Sequence, residues 1–214
     1  MRVDIEIPDL GPLPSYFSHH VVVSFFTPSE TLVPYPAYAL AMTIVRLVDA
    51  AGAEYNEARR LTLKFWQTHD ALQIGAVTRG TAYFESCLTN MHRAIAATRS
   101  LRGKFGKNSV IQGLLPKAPS FTKGKIAAQV KDIRNAIQHL DNDICNGNIL
   151  QGRSFALRAH GPITTVAGEP EKELLTIDRL ELRNHEILFS DVSTCLKDMT
   201  KCAEKIFNRK LRPQ

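Results

Sequence analysis

The chain has 214 residues, 44% of them apolar, with 27 basic and 21 acidic side chains for a formal charge of +6. That is enough apolar material for one buried core, and nothing in the pattern asks for two. Cys87, Cys145, Cys195 and Cys202 form no Cys-x-x-Cys pair and have no histidines at zinc spacing, so they read as reduced thiols. The start of the chain lacks the hydrophobic stretch of a signal peptide, and the longest apolar run, Ala37 to Val45, is too short to span a bilayer. The expectation is a cytoplasmic protein with no membrane segment.

In chain order, Val3, Ile5 and Ile7 alternate like a strand, and Val21 to Phe26 is a β-branched and aromatic run. Prolines at 8, 12, 14, 28, 34 and 36 break up what lies between, so residues 1–36 read as an irregular, partly β arm. Helical character begins at Ala37. Segments of about 37–51, 53–74 and 81–101 follow, with Gly52, Gly75 and Gly80 as candidate breaks.

Next comes a Gly/Lys-rich connection from Leu101 to Lys125, expected as a loop. It leads into a helix of about 125–145, where Ile126, Val130, Ile133, Ile137, Leu140 and Ile144 recur at intervals of four and three. At about 100° per residue that spacing makes one apolar stripe facing a core. Asn146-Gly147-Asn148 is a turn. Phe155 to Leu157, Ile163 to Val166, Leu174 to Ile177 and Leu180 to Leu182 read as short strands, giving a β-hairpin region over 153–189. Ser190-Asp191 opens a last helix within 190–210, whose buried side carries Leu196, Met199, Ala203, Ile206 and Phe207. The whole is expected to be a single, mainly α domain. Its bundle, over 37–147, carries a β arm before it and a hairpin insertion ahead of the last helix.

The helix at 125–145 carries the residues with chemistry. Arg134 falls on the flank of the apolar stripe, while Asp132, Asn135, His139 and Asp143 share the opposite side. Imidazole titrates near neutrality and suits proton transfer, and a guanidinium grips phosphate through a planar fork. Asn135, one turn before His139, has the reach to hold the ring or a substrate. Arg153 with His160 and Arg179 with His185 are similarly spaced, but they lie in strand-like or loop-like sequence without the adjacent amide.

Arg134, Asn135 and His139, as Arg-Asn-x-x-x-His on a late bundle helix, resemble the signature of HEPN domains (higher eukaryotes and prokaryotes nucleotide-binding). The resemblance covers about residues 37–147 and the final helix. It extends to the preceding helix, where Phe84-Glu85 resembles the aromatic-Glu pair of such domains and brings in Glu85 as a supporting site residue. It implies an up-and-down helical bundle, dimerisation, and either metal-independent RNA cleavage or a non-catalytic binding role.

From Ser86 to Lys131 there is no acidic residue but there are nine basic ones, which leaves the rest of the chain a formal charge of six minus nine, −3. Such a block attracts polyanions without reading sequence. Arg102, Lys104, Lys107, Lys123 and Lys125 are its candidate RNA contacts. With a single histidine in each Arg134–His139 set, a partner acid would come from a second copy across a two-fold axis, so a homodimer is expected. No cofactor or metal is expected: His69, His92 and the carboxylates have no ligand spacing. Glu85, His92 and Arg99 recur at seven-residue intervals and read as a surface stripe. Two other classes stay open: a non-catalytic binding module, and a toxin-like subunit held by a regulatory partner protein.

Overall fold

The computed structural model describes residues 2–12, 14, 33–68, 74–149, 156–166 and 169–208. The Val21 to Phe26 run and His69 lie outside the described residues. Mainly helical, the chain carries a small β region, and none of the described helices is long and apolar enough to cross a membrane.

Two long helices form the frame. α1 spans Tyr35–Thr68 and α2 spans Ile74–Phe105. Pro34 and Pro36 stand at the start of α1, where a proline's missing N–H costs nothing, and the Ala37 amide donates to the Pro34 carbonyl at 2.8 Å. Gly52 does not break α1 as expected. A mid-helix glycine costs about 1 kcal/mol relative to alanine, and the burial of Val48, Ala51, Tyr55 and Ala58 around it outweighs that.

α2 likewise runs through Gly75 and Gly80. Gly80 is there for contact: a Cβ on it would sit 3.3 Å from Thr62 Oγ1 and 3.4 Å from the Ala58 carbonyl of α1. Between the long helices, the Glu54 carboxylate accepts from Ser86 Oγ at 2.7 Å and Asn90 Nδ2 at 2.9 Å. Tyr55, Phe84 and Phe189 meet in the core with ring centroids 6.0 and 5.2 Å apart.

The expected loop from Leu101 to Lys125 is largely ordered into short elements. α2 continues to Phe105, so Arg102 and Lys104 sit on its last turn. A short helix, α3 (Ser109–Leu114), is capped by Asn108, whose Oδ1 accepts from the amides of Val110 and Ile111. A 3₁₀ turn at Ser120–Thr122 precedes α4 (Gly124–Gln138).

The helix expected to continue to 145 is interrupted at His139, and α5 (Leu140–Cys145) follows. Val130 and Ile133 are buried and Ile126 and Ile137 partly so, but Ile144 is 49% exposed and α5 buries no residue. The apolar stripe outruns the core it faces.

Two three-stranded sheets replace the single hairpin expected from the sequence. β1 (Arg2–Ile5) pairs in parallel with β4 (Glu169–Ile177), which pairs antiparallel with β3 (Ile163–Val166). β2 (Arg158–His160), β5 (Arg179–Leu182) and β6 (His185–Leu188) make the second sheet, in the order β2-β5-β6. The arm is fastened to α1: Tyr55 Oη donates to the Pro8 carbonyl and Arg59 Nε to that of Ile7, both at 2.9 Å. α6 (Phe189–Asn208) buries Leu196, Met199, Ala203 and Ile206 as its spacing predicts. The buried apolar residues of helices and sheets form one contiguous cluster.

Candidate functional site at the end of α4

The Arg134 side chain lies half-buried on the flank of α4. Its Nη1 donates to Asn135 Oδ1 at 3.2 Å, and its Nε is buried without a hydrogen-bond partner. Among the described residues no carboxylate forms an ion pair with it. A guanidinium that is partly removed from water and not neutralised is an anion site in waiting, since desolvation strengthens its hold on whatever charge arrives.

Asn135 is committed to this arginine through its carbonyl oxygen, not to the ring of His139 as the one-turn spacing allows. His139 is exposed. It closes α4, its backbone at φ −99° and ψ 7°, with its amide donating to the Asn135 carbonyl at 3.0 Å. The break places the imidazole at a helix end facing solvent.

A second imidazole stands on the neighbouring helix. His92 of α2 is partly buried, and its ring is pushed below the ordinary histidine range by that burial and by the positive charges of Arg134, Arg99 and Lys131. The neutral ring is therefore favoured, and the side chain lies close enough to Arg134 to feel its charge. The seven-residue recurrence of Glu85, His92 and Arg99 is the signal for it in the sequence, and it reads as a surface stripe only until α4 is laid against it.

Arg99 fixes the register of that packing. Its Nε and Nη2 donate to the Thr122 carbonyl, just before α4, at 2.9 and 2.6 Å. With Arg99 at the start of α4 and His92 beside Arg134, α2 and α4 run antiparallel. The same progression carries Glu85 about 10 Å further along α2, towards the level of α5. Glu85 is half-buried, and burial raises its carboxyl above the usual range.

The basic residues spread along the molecule. Arg102, Lys104, Lys107, Lys123 and Lys125 are all exposed. Lys123 and Lys125 flank the start of α4, roughly 20 Å along the helix from His139 at 1.5 Å per residue. Closeness in sequence suggests that they sit beside the motif. The folded chain puts them at the other end of its helix, with Lys131 between. Open cavities of about 550 and 340 Å³ lie between the α3 region and α6, lined by Lys117, Lys201 and Lys205, and neither includes Arg134 or His139.

The two other arginine–histidine pairs fare differently. Arg153 is outside the described residues. Arg179 is neutralised by Asp178 at 2.7 Å and Glu186 at 2.8 Å, and His160 Nδ1 lies 3.6 Å from Glu181. No group of three or more potential metal ligands occurs among the described residues. Cys87, Cys195 and Cys202 are buried and Cys145 is exposed, and burial is the chief cause that pushes the three buried thiols upward, Cys195 to about 12. Comparison with known proteins returned no matching family model, no matching curated protein and no matching solved structure.

Proposed function

We propose that this chain is a metal-independent endoribonuclease of the HEPN type, cleaving RNA at the Arg134–His139 site. The observation that carries the reading is the state of Arg134: half-buried, without a carboxylate partner among the described residues, its charge felt by the His92 ring of α2, with His139 five residues on at the end of the same helix. Among the described residues Arg59, Arg60, Arg158, Arg179 and Arg183 have carboxylate partners, and Arg134 belongs with the arginines that have none.

The chemistry follows from those groups. An imidazole accepts the proton of a ribose 2′-hydroxyl, whose oxygen bonds to the adjacent phosphorus. The P–O5′ bond breaks, and the departing oxygen takes a proton from a second imidazole. The products are a 2′,3′-cyclic phosphate and a 5′-hydroxyl. Arg134 would neutralise the phosphorane oxygens, the moment at which a preorganised charge counts most. Lys131 and the exposed cations further along α4 and at the end of α2 would hold the flanking backbone.

Pairing of two copies through their motif helices would bring two such sets into one cleft. The exposed Ile144, on a helix with no fully buried residue, supports a partner surface there. The rival reading is a binding module that keeps Arg134 for a nucleotide or partner and performs no chemistry.

Substitution separates them. His139→Ala and Arg134→Ala should each lower cleavage of single-stranded RNA at least about a hundredfold, the scale of a lost acid–base or charge-stabilising group. Asn135→Ala should cost less, because its carbonyl oxygen is engaged with Arg134. RNA binding without cleavage in the unmodified protein would favour the binding module.

A further inference from the structure

The motif runs into a helix that the core does not hold. α5 buries no residue, and what fastens it is polar. Asp143 Oδ2 accepts from Arg183 Nη1 at 2.6 Å, and Asp143 Oδ1 accepts from Asn148 Nδ2 at 3.2 Å. Arg183 reaches across from the turn between β5 and β6. Its backbone is left-handed at φ 58°, the one non-glycine residue with positive φ among those described. A bulky side chain in that conformation persists only where its surroundings fix it. The side chain is 18% exposed, and its Nε and Nη2 are buried without partners, so the hydrogen bond and ion pair of this guanidinium both fall to Asp143.

Asp143 also lies one helical turn beyond His139. Its amide donates to the His139 carbonyl at 3.0 Å; the two side chains form no ion pair, and the charge of His139 reaches the Asp143 carboxylate from one turn away. Each carboxylate oxygen, having accepted one hydrogen bond, keeps a further lone pair for an N–H of the ring. The Arg183 and Asn148 hydrogen bonds, with the nearby His139 charge, hold the Asp143 carboxyl below the usual carboxylate range.

We infer that Asp143 is the positioning residue of His139, and that Arg183 holds Asp143 in place from the β5–β6 turn. A carboxylate beside an imidazole fixes its orientation and stabilises the imidazolium formed when the ring takes a proton. The second sheet thereby sets the geometry of a helix end to which it is not joined in sequence. This inference rests on the reading of His139 as the proton-transferring group.

The first test is independent of activity. In a carboxyl-selective NMR titration of the full chain, Asp143 should titrate below the ordinary carboxylate range. Its midpoint should rise in Arg183→Gln, and rise by a smaller amount in His139→Gln. An Asp143 titration unmoved by His139→Gln would overturn the inference. The second test is kinetic: Asp143→Asn should lower kcat for RNA cleavage roughly ten- to a hundredfold with KM little changed, while Arg183→Lys should retain most of what Arg183→Gln loses. Unchanged kcat in Asp143→Asn would equally overturn it. Coupled titration in a chain that cleaves no RNA would contradict the ribonuclease reading and leave the Asp143–His139 pairing standing.

Discussion

Arg134 and Arg179 show how much a residue's chemistry depends on its neighbours. Both belong to similar sequence spacings, yet Arg179 is held between two carboxylates while Arg134 has the amide oxygen of Asn135 and no carboxylate among the described residues. Asp178 precedes Arg179 in the sequence, but the second carboxylate partner, Glu186, is brought in by the pairing of β5 with β6, which no spacing rule reveals. His92 has a thermodynamic consequence. With its folded-state ring pushed downward, the folded chain declines a proton that the unfolded chain accepts at an ordinary value of about 6.5. The folded state therefore binds fewer protons, and stability should fall as pH drops through and below that range. Urea midpoints measured from about pH 7.5 to about pH 5 should show a shallower decline in His92→Gln than in the unmodified protein. An identical decline in both would mean that His92 is not held neutral.

At the scale of elements, periodicity locates most helices and misjudges their ends. The stripe from Ile126 to Ile144 predicts a helix correctly as far as Gln138, but its last members reach no core, since α5 buries no residue. Glycines mislead in the other direction. Gly52 and Gly80 read locally as breaks, whereas Gly80 serves the crossing of α1 and α2, a contact between residues far apart in the chain. Gly80→Leu should place its side chain against Thr62 and the Ala58 carbonyl and destabilise the fold by about 1–3 kcal/mol. Thermal or urea unfolding would measure this, and a neutral effect would show that the two helices part without cost. The strands are legible singly, with Ile163–Val166 found as spaced, but their pairing is not. One partner of β4 is its neighbour β3, but the other is β1, at the opposite end of the chain, and alternation carries no information about such a partner.

For the molecule as a whole, the uneven charge is the property most directly readable from composition, and the fold changes its meaning. The cations are not gathered at the motif but spread over the end of α2, the connection after it and the start of α4, with Lys131 further along α4. Replacing Lys104, Lys107, Lys123 and Lys125 together by glutamine should weaken RNA binding. It should also flatten the dependence of log affinity on log salt by up to about 3, at ~0.7 for each single-strand phosphate that is no longer neutralised. Affinity unchanged across a salt series would remove these residues from the binding surface.

The central claim is that the site cleaves RNA with protein groups alone, and the most direct measurement is the identity of the product ends. Purified protein incubated with single-stranded RNA in EDTA, beside a His139→Ala control, should yield fragments ending in 2′,3′-cyclic phosphate, while DNA of the same sequence, lacking the 2′-hydroxyl, stays intact. Activity that disappears in EDTA, cleavage that extends to DNA, or full activity in the His139 variant would contradict the account.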